Sequence, residues 1–193
     1  MVDLRLKVAQ YVEQEFKGVE RKFTKAPYTT HLMAVGELAH SYDLFFGYEI
    51  GLLHDLYEDT NVKPHECIEK LVGFGYNKID ASFISDTVIN LTKQYIGEKW
   101  KHFDDETLIG LETYRIIEGN DITQSIKYCD IIDNIRHNMQ YDKIYKDFQF
   151  KKFIKKYLPL KRKQLELMTS GNVKLRNLAI GMMEENCKYF NIK

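Results

Sequence analysis

Apolar residues recur at helical spacing along almost the whole of this 193-residue sequence. Near the N-terminus, Leu4, Val8, Tyr11 and Val12 fall on one helical face, and Phe16 continues the stripe. The alternation of apolar and polar residues between hairpin turns, which would indicate strands, is absent from the sequence. The pattern therefore predicts an all-α fold in which amphipathic helices share a core.

Nine segments carry a helical pattern. They are residues 4–16, 28–40, 44–57, 64–73, 79–91, 106–118, 122–139, 145–169 and 173–189. Pro27, Pro64 and Pro159 are expected at helix starts or connections, because proline lacks the N–H that a helix interior requires. The longest predicted loop, residues 94–105, is rich in Lys, His and Gly and is a candidate mobile lid.

Length and charge narrow the class of protein. A chain of 193 residues is long enough for one domain, residues 1–193, around a single core. Lys+Arg and Asp+Glu number 28 each, so the zero net charge gives no basis for general binding to nucleic acid or a membrane surface. The sequence contains no run of roughly 20 apolar residues that could span a membrane, and its first residues lack the apolar segment of a signal peptide.

Three cysteines, Cys67, Cys129 and Cys187, are widely spaced and odd in number. This usage is typical of reduced thiols rather than of a disulfide framework or a zinc site. We therefore expect a cytoplasmic protein. The composition argues against membrane and general nucleic-acid partners, and a local basic patch stays open. The oligomeric state is left open.

Four separated residues suggest a metal site. His54 and Asp55 follow an apolar Leu-Leu pair late in one predicted helix, His31 lies at the start of the preceding helix, and Asp130 lies among Tyr, Cys and Ile in another. Burying such groups needs a compensating interaction, which a divalent cation supplies. A shell of two imidazoles and two carboxylates suits Mn²⁺, Fe²⁺, Co²⁺ or Ni²⁺. Zinc remains possible, although no thiolate favours it.

Each of these residues also has a simpler interpretation. Asp130 could form a salt bridge with Lys127 or Arg136 on its own helix. His31 could lie near the surface at a helix start, and the His-Asp pair could belong to an exposed helix end. The metal hypothesis accounts for all of these residues at once, whereas the alternatives must each hold separately.

The order of these residues resembles that of the HD-domain metal-dependent phosphohydrolases, which are named after the His-Asp pair. The stretch from His54 to Thr60 looks like the His-Asp-x-x-Glu-Asp-Thr motif of the guanosine tetraphosphate (ppGpp) hydrolases, which include small alarmone hydrolases. Further similar elements are Arg21-Lys22, Pro27-Tyr28, Leu91-Thr92-Lys93 and the Lys-x-x-Asp-x-x-x-Asn pattern of Lys127, Asp130 and Asn134. The resemblance covers about residues 15–140, and the C-terminal helices, residues 145–193, match only in being helical.

The resemblance implies a single HD-domain bundle of about eight or nine helices and a set of site residues. The implied roles are metal binding for His31, His54, Asp55 and Asp130, water activation for Glu58 and Asp59, and substrate binding for Arg21, Lys22, Lys93 and Asn134. The metal is expected to be Mn²⁺ or another divalent transition metal, which polarises a phosphoryl oxygen and lowers the pKa of a bound water. The implied partner is a small-molecule nucleotide substrate. The implied reaction removes the 3′-pyrophosphate of guanosine tetra- or pentaphosphate, leaving GDP or GTP.

Other functions use similar residues. A 5′-nucleotidase, an NADPH 3′-phosphatase or a phosphodiesterase of the same superfamily would need the same metal shell, and a nucleotide-binding module could keep it without turnover. The residues Glu58 and Asp59 favour the ppGpp branch. The late basic runs, Lys151-Lys152, Lys155-Lys156 and Lys161-Arg162-Lys163, are interpreted as solvated helix faces.

Overall fold

A computed structural model describes residues 3–192 of the protein. Met1, Val2 and Lys193, which the predicted domain includes, lie outside the described residues. The described chain is helical throughout and forms no strand, apart from one isolated bridge between Glu20 and Pro27. The predicted all-α fold is confirmed.

The α-helices follow the predicted order along the chain. They are α1 (Leu4–Glu15), α2 (Thr29–Ser41), α3 (Gly47–Leu53), α4 (Leu56–Asp59), α5 (Pro64–Phe74), α6 (Lys78–Leu91), α7 (Asp105–Glu118), α8 (Asp121–Tyr145), α9 (Phe148–Leu167) and α10 (Val173–Tyr189). A short 3₁₀ helix, Glu98–Trp100, lies between α6 and α7. Because α4 is a single four-residue turn, nine longer helices remain in the described range, in agreement with the predicted number.

Helix α8 lies at the centre of the molecule. It packs against α2, α3, α6, α7, α9 and α10. Its first half is apolar on several faces, and Ile126, Tyr128, Cys129 and Ile132 are fully buried. A helix that is apolar all round belongs in a core rather than at a surface. Polar groups on this part of α8 are therefore enclosed by the surrounding helices.

Three predicted details are wrong. The predicted helix 44–57 is interrupted, because Asp55 adopts φ −103° and ψ 6° between α3 and α4. The predicted helix 145–169 starts too early, because α8 continues to Tyr145 and α9 begins only at Phe148. Helix α8 ends where Lys146 takes the left-handed conformation. Pro159 lies inside α9, where Ile154 and Leu158, which precede it on the same helix, are fully buried. Tertiary packing there outweighs the local cost of proline.

The crossing of α2 and α3 depends on two glycines. A Cβ atom at Gly51 would lie 2.6 Å from the Cα of Gly36, and a Cβ atom at Gly36 would lie 2.9 Å from the carbonyl oxygen of Tyr48. Any side chain at these positions would separate the two backbones. The glycines thus allow α2 and α3 to approach closely enough for His31 and His54 to meet, with ring centroids 5.1 Å apart.

Between residues 3 and 192, no helix has both the length and the apolar character needed to cross a bilayer. Cys67, Cys129 and Cys187 are all buried and unbridged. A buried thiol among apolar side chains packs as a small hydrophobic group.

Candidate metal centre

Three segments distant in sequence converge on one buried cluster. His31 comes from α2, His54 and Asp55 from the turn between α3 and α4, and Asp130 from α8. His31 Nε2 lies 3.3 Å from Asp130 Oδ1 and 3.8 Å from Asp55 Oδ2. His54 Nε2 lies 3.0 Å from Asp55 Oδ2 and 4.0 Å from Asp130 Oδ1. The cluster therefore brings together all four residues that the sequence suggested as metal ligands.

Potential ligand atoms of His31, His54 and Asp130 lie within 4.8 Å of one another, and all three residues are buried. Such a group of one carboxylate and two imidazoles can hold a divalent cation. Asp55, which is more exposed, lies at the edge of the group and accepts a hydrogen bond from the Tyr28 hydroxyl at 2.7 Å. The interrupted helix turns the Asp55 carboxylate towards the two imidazoles.

The orientation of the imidazoles fits a metal ion. His54 Nδ1 donates a hydrogen bond to the Gly51 carbonyl at 2.7 Å, and His31 Nδ1 donates to Asp133 Oδ2 at 2.6 Å. In the neutral rings, both Nε2 atoms then present lone pairs towards carboxylate oxygens. His54 Nε2 is buried and has no hydrogen-bond partner within the described chain. A cation between these atoms would relieve the repulsion and supply the missing partner.

Electrostatics in the cluster favour a positive charge. Burial alone would lower the pKa of His31, but hydrogen bonds to Asp130 and Asp133 outweigh it and raise the pKa to about 9. Burial opposes ionisation of Asp130, yet Lys127 and the two imidazoles hold its pKa well below the usual range. The carboxylates thus stay ionised, and without a metal ion a proton on His31 compensates part of their charge.

Lys127 contacts Asp130 as the simpler interpretation of that residue anticipated. Its Nζ lies 2.6 Å from Asp130 Oδ2. The other carboxylate oxygen, Oδ1, accepts from Asn134 Nδ2 at 2.5 Å and also faces His31. Because a carboxylate oxygen has two lone pairs, Asp130 can form the salt bridge and still offer a lone pair to a metal ion.

Glu58 and Asp59 lie on the short helix α4, directly after the ligand pair. Glu58 forms an ion pair with Lys93, whose backbone N–H also donates to the same carboxylate at 3.3 Å. Asp59 is exposed, and partial desolvation together with the charges of Asp55 and Glu58 raises its pKa to about 6. These two carboxylates therefore differ: Glu58 is paired with a lysine, whereas Asp59 holds a proton more readily than an ordinary aspartate.

Arg21 and Asn134, predicted to bind substrate, are tied to the cluster. Arg21 is buried and donates to Asp133 Oδ2 at 2.9 Å and to Asn134 Oδ1 at 3.2 Å. The Asn134 amide in turn donates a hydrogen bond to Asp130. The Arg21 guanidinium thus supports the carboxylate that orients His31, a contact that the sequence prediction did not include.

Lys22 and Lys93, the other two predicted substrate residues, lie in different surroundings. Lys22 is exposed, and its Nζ lies 5.5 Å from the ring centroid of Phe23 and 5.0 Å from that of Phe153. These are cation–π distances. Lys93, by contrast, lies beside Glu58. Lys93 therefore lies at the site as the ion-pair partner of Glu58, whereas Lys22 contacts the aromatic rings of Phe23 and Phe153.

Three contacts at the site were missed in the sequence. Asp133 orients His31, Tyr28 holds Asp55, and Lys161 lines a cavity next to Lys127. Asp133 was detectable in principle, because it follows Asp130 by three positions and so shares its helix face. Lys161 was assigned to a solvated face together with its basic neighbours, but the structure shows it half-buried and lining the cavity.

Comparison with known proteins gives a match in structure but not in sequence. The chain matches none of the protein-family models, and no curated protein matches its sequence significantly. Among solved structures, it is similar to a metazoan ortholog of SpoT that hydrolyses ppGpp and plays a role in starvation responses, with a TM-score of 0.73 at 19% identity. The match covers 100% of this chain and 98% of that chain.

The structural match extends the resemblance found in the sequence. It includes the helices beyond residue 140, where the sequence similarity ended. At 19% identity the match concerns the fold, and the buried His-Asp cluster adds an independent feature. The chain thus has the helical fold of an HD-type ppGpp hydrolase, and its cluster fits an HD-type metal site.

Proposed function

We propose that the protein is a metal-dependent nucleotide phosphohydrolase that removes the 3′-pyrophosphate of guanosine tetra- or pentaphosphate, giving GDP or GTP and pyrophosphate. The observation that carries the proposal is the buried meeting of two oriented imidazoles with the Asp130 carboxylate, beside which Asp55 lies at the edge. Within this cluster, His54 Nε2 has no hydrogen-bond partner in the described chain. Similarity in fold to a ppGpp hydrolase supports this substrate. A cytoplasmic setting, in which the three buried cysteines remain reduced, belongs to the same proposal.

In this proposal His31, His54, Asp55 and Asp130 hold Mn²⁺ or a similar divalent ion. The bound ion would supply Lewis-acid polarisation of a phosphoryl oxygen and a water of lowered pKa. The protein's own contribution is orientation. Asp133 and the Gly51 carbonyl fix the two imidazoles through Nδ1, while Tyr28 fixes Asp55. Such contacts behind the ligands keep a metal site in its productive geometry.

Asp59 is the proposed general base. Its pKa of about 6 leaves it ionised at neutral pH and still basic enough to take a proton from water. Glu58 is proposed to orient that water, and Lys93 limits the negative charge that the two adjacent carboxylates would otherwise present to an anionic substrate. This division of roles is supported by the different surroundings of the two side chains.

Product analysis tests the proposal. Purified protein with Mn²⁺ is offered guanosine tetraphosphate, NADPH and nucleoside 5′-monophosphates, and products are separated by ion-exchange chromatography. We expect GDP and pyrophosphate from guanosine tetraphosphate, and no turnover by the Asp130→Ala protein. Parallel assays with Fe²⁺, Co²⁺ and Ni²⁺ identify the preferred metal.

Other results would change the conclusion. Turnover of only the 5′-monophosphates would move the protein to the nucleotidases, and release of phosphate from NADPH alone would make it a 3′-phosphatase. Full turnover by both Glu58→Ala and Asp59→Ala proteins would refute the proposed roles of these carboxylates. A metal-loaded protein that turns over none of these compounds would support a binding module.

A further inference from the structure

A cavity of about 250 Å³ lies between α6, α7, α8 and α9. Lys93, Lys127 and Lys161 line it together with apolar side chains such as Leu108 and Leu160. Three lysines from three different segments therefore line one cavity. Their convergence is notable in a chain whose net charge is zero.

The cavity borders the candidate metal centre on two sides. Lys127 lines the cavity and also contacts the presumed ligand Asp130 at 2.6 Å. Lys93 lines it and forms an ion pair with Glu58. A phosphate bound in this cavity would therefore lie next to the phosphoryl group that is proposed to react at the metal centre.

The acidic groups on the cavity wall have partners of their own. Glu112 accepts from the backbone N–H groups of Gln94 and Tyr95 at 2.6 and 2.7 Å and from Arg115 at 3.0 Å. Asp105 forms an ion pair with Lys156. These carboxylates are thus compensated by groups other than the three cavity lysines.

Lys161 differs from its two neighbours. Its Nζ donates to the Gln164 amide oxygen at 3.0 Å and lies 5.8 Å from the centroid of the Tyr157 ring. No carboxylate of the described residues lies within salt-bridge distance of it. Burial, followed by repulsion from Lys127, lowers the pKa of Lys161 to about 7. An ammonium in such surroundings is costly without an anion. A bound phosphate would supply that anion and stabilise the charged form.

We propose that this cavity binds a second phosphate of the substrate, the one not attacked at the metal centre, and that Lys161 selects substrates that carry it. The inference rests on the proposed function, and it names the substrate class as nucleotides with at least two phosphates. The volume agrees, because complete small-molecule sites occupy about 300–1,000 Å³, so this cavity suits one part of a nucleotide.

Steady-state kinetics of the Lys161→Gln protein test this selection. The substrates are guanosine tetraphosphate and its two analogues with a single phosphate on either the 3′ or the 5′ arm. We expect the KM for guanosine tetraphosphate to rise about tenfold to a hundredfold, as for loss of one charge-assisted hydrogen bond. For the analogue that lacks the phosphate bound in the cavity, Lys161→Gln should not raise the KM. That analogue identifies which arm of the nucleotide, 3′ or 5′, carries the bound phosphate.

Two variants serve as controls. Lys152 lies on the same helix α9 and is exposed, so Lys152→Gln makes the same change of charge away from the cavity. Its KM should stay within about twofold of the unchanged protein, since exposed charges are screened. Lys161→Arg keeps the charge and should restore part of the selectivity. Thermal unfolding of each variant verifies that it is folded.

Binding of inorganic pyrophosphate gives a readout that does not need turnover. Calorimetry is performed on Mn²⁺-loaded protein after removal of unbound metal. We expect Lys161→Gln to weaken pyrophosphate binding about tenfold or more, as for loss of a charged contact, and Lys152→Gln to leave it unchanged. If Lys161→Gln alters neither this affinity nor any KM, the inference is overturned and the proposed function stands. If pyrophosphate binding depends on Lys161 but no nucleotide is hydrolysed, the proposed function fails and the binding site stands.

Discussion

The metal cluster and the lysine-lined cavity share one border, the Lys127–Asp130 ion pair, but they are built differently. In the cluster each imidazole is fixed by an acceptor within the fold, Asp133 or the Gly51 carbonyl. In the cavity the Lys161 ammonium has only uncharged neighbours in contact, the Gln164 amide oxygen and the Tyr157 ring, among the described residues. The cluster is thus prepared for a small cation, whereas the cavity offers a positive charge to an anion from outside.

The largest effect is expected where a ligand is removed from the cluster. His54→Gln takes away the unpartnered Nε2 but keeps an amide that can donate to the Gly51 carbonyl. We expect Mn²⁺ content to fall from about one ion per chain to almost none, because the ion depends on its full set of ligands. Elemental analysis of the purified protein measures this. Lys161→Gln, the matching change in the cavity, should retain its metal, and equal metal content in both variants would contradict the distinction.

A change at the helix crossing should act on the cluster through its backbone. The Cβ of Gly51→Ala would lie 2.6 Å from the Gly36 Cα, so α2 and α3 must move apart. We expect a loss of about 1–3 kcal/mol in the free energy of unfolding, as for overpacking in a core. Denaturant unfolding provides the measurement. Gly73→Ala is the control, since its Cβ would meet nothing within 4 Å inside α5, and an equal loss there would contradict the prediction.

Removing the group behind His31 should weaken the cluster without dismantling it. Asp133→Asn leaves a side chain of the same shape but cancels the charge that holds His31 Nδ1 and Arg21. We expect Mn²⁺ affinity to fall about tenfold to a hundredfold, the usual cost of losing such a supporting contact. Calorimetric titration with Mn²⁺ tests this. An unchanged affinity would show that Asp133 serves the fold rather than the metal site.

The most gradual expected effect is a dependence of metal affinity on pH. The pKa of His31, about 9 without metal, lies above its unfolded value near 6.5. At neutral pH a metal ion must therefore displace a proton, and its affinity should rise about tenfold per pH unit from pH 7 until it levels off near pH 9. The same proton stabilises the metal-free fold fully below about pH 6.5, and this contribution is lost as the pH rises towards 9.

Titrations of Mn²⁺ in buffers with different ionisation enthalpies measure the proton released on binding. About one proton per ion is expected at pH 7, since the binding competes with one protonated imidazole. A value near zero would mean that His31 is neutral in the metal-free protein. Pyrophosphate binding in the lysine cavity should show the opposite trend and weaken as Lys161 loses its proton.

Much of the candidate metal centre was predictable because its residues carry their chemistry in their type and order. His31, His54, Asp55 and Asp130 stand in apolar helical surroundings, and the cost of burying them indicated a common partner. The all-α fold followed from apolar periodicity in the same way. The burial of these polar residues and the apolar periodicity are both local signals, which can be recognised in one sequence segment at a time.

The contacts that complete the two sites were decided by the tertiary structure. The turn at Asp55 interrupts a segment that reads as one continuous helix, and it is fixed by packing rather than by propensity. Lys161 resembles the solvated lysines near it in sequence, and only the packing of α9 against α7 and α8 brings it to one cavity with Lys93 and Lys127. Sequence determines which groups are costly to bury, but their partners come from segments far along the chain, which only the folded structure brings together.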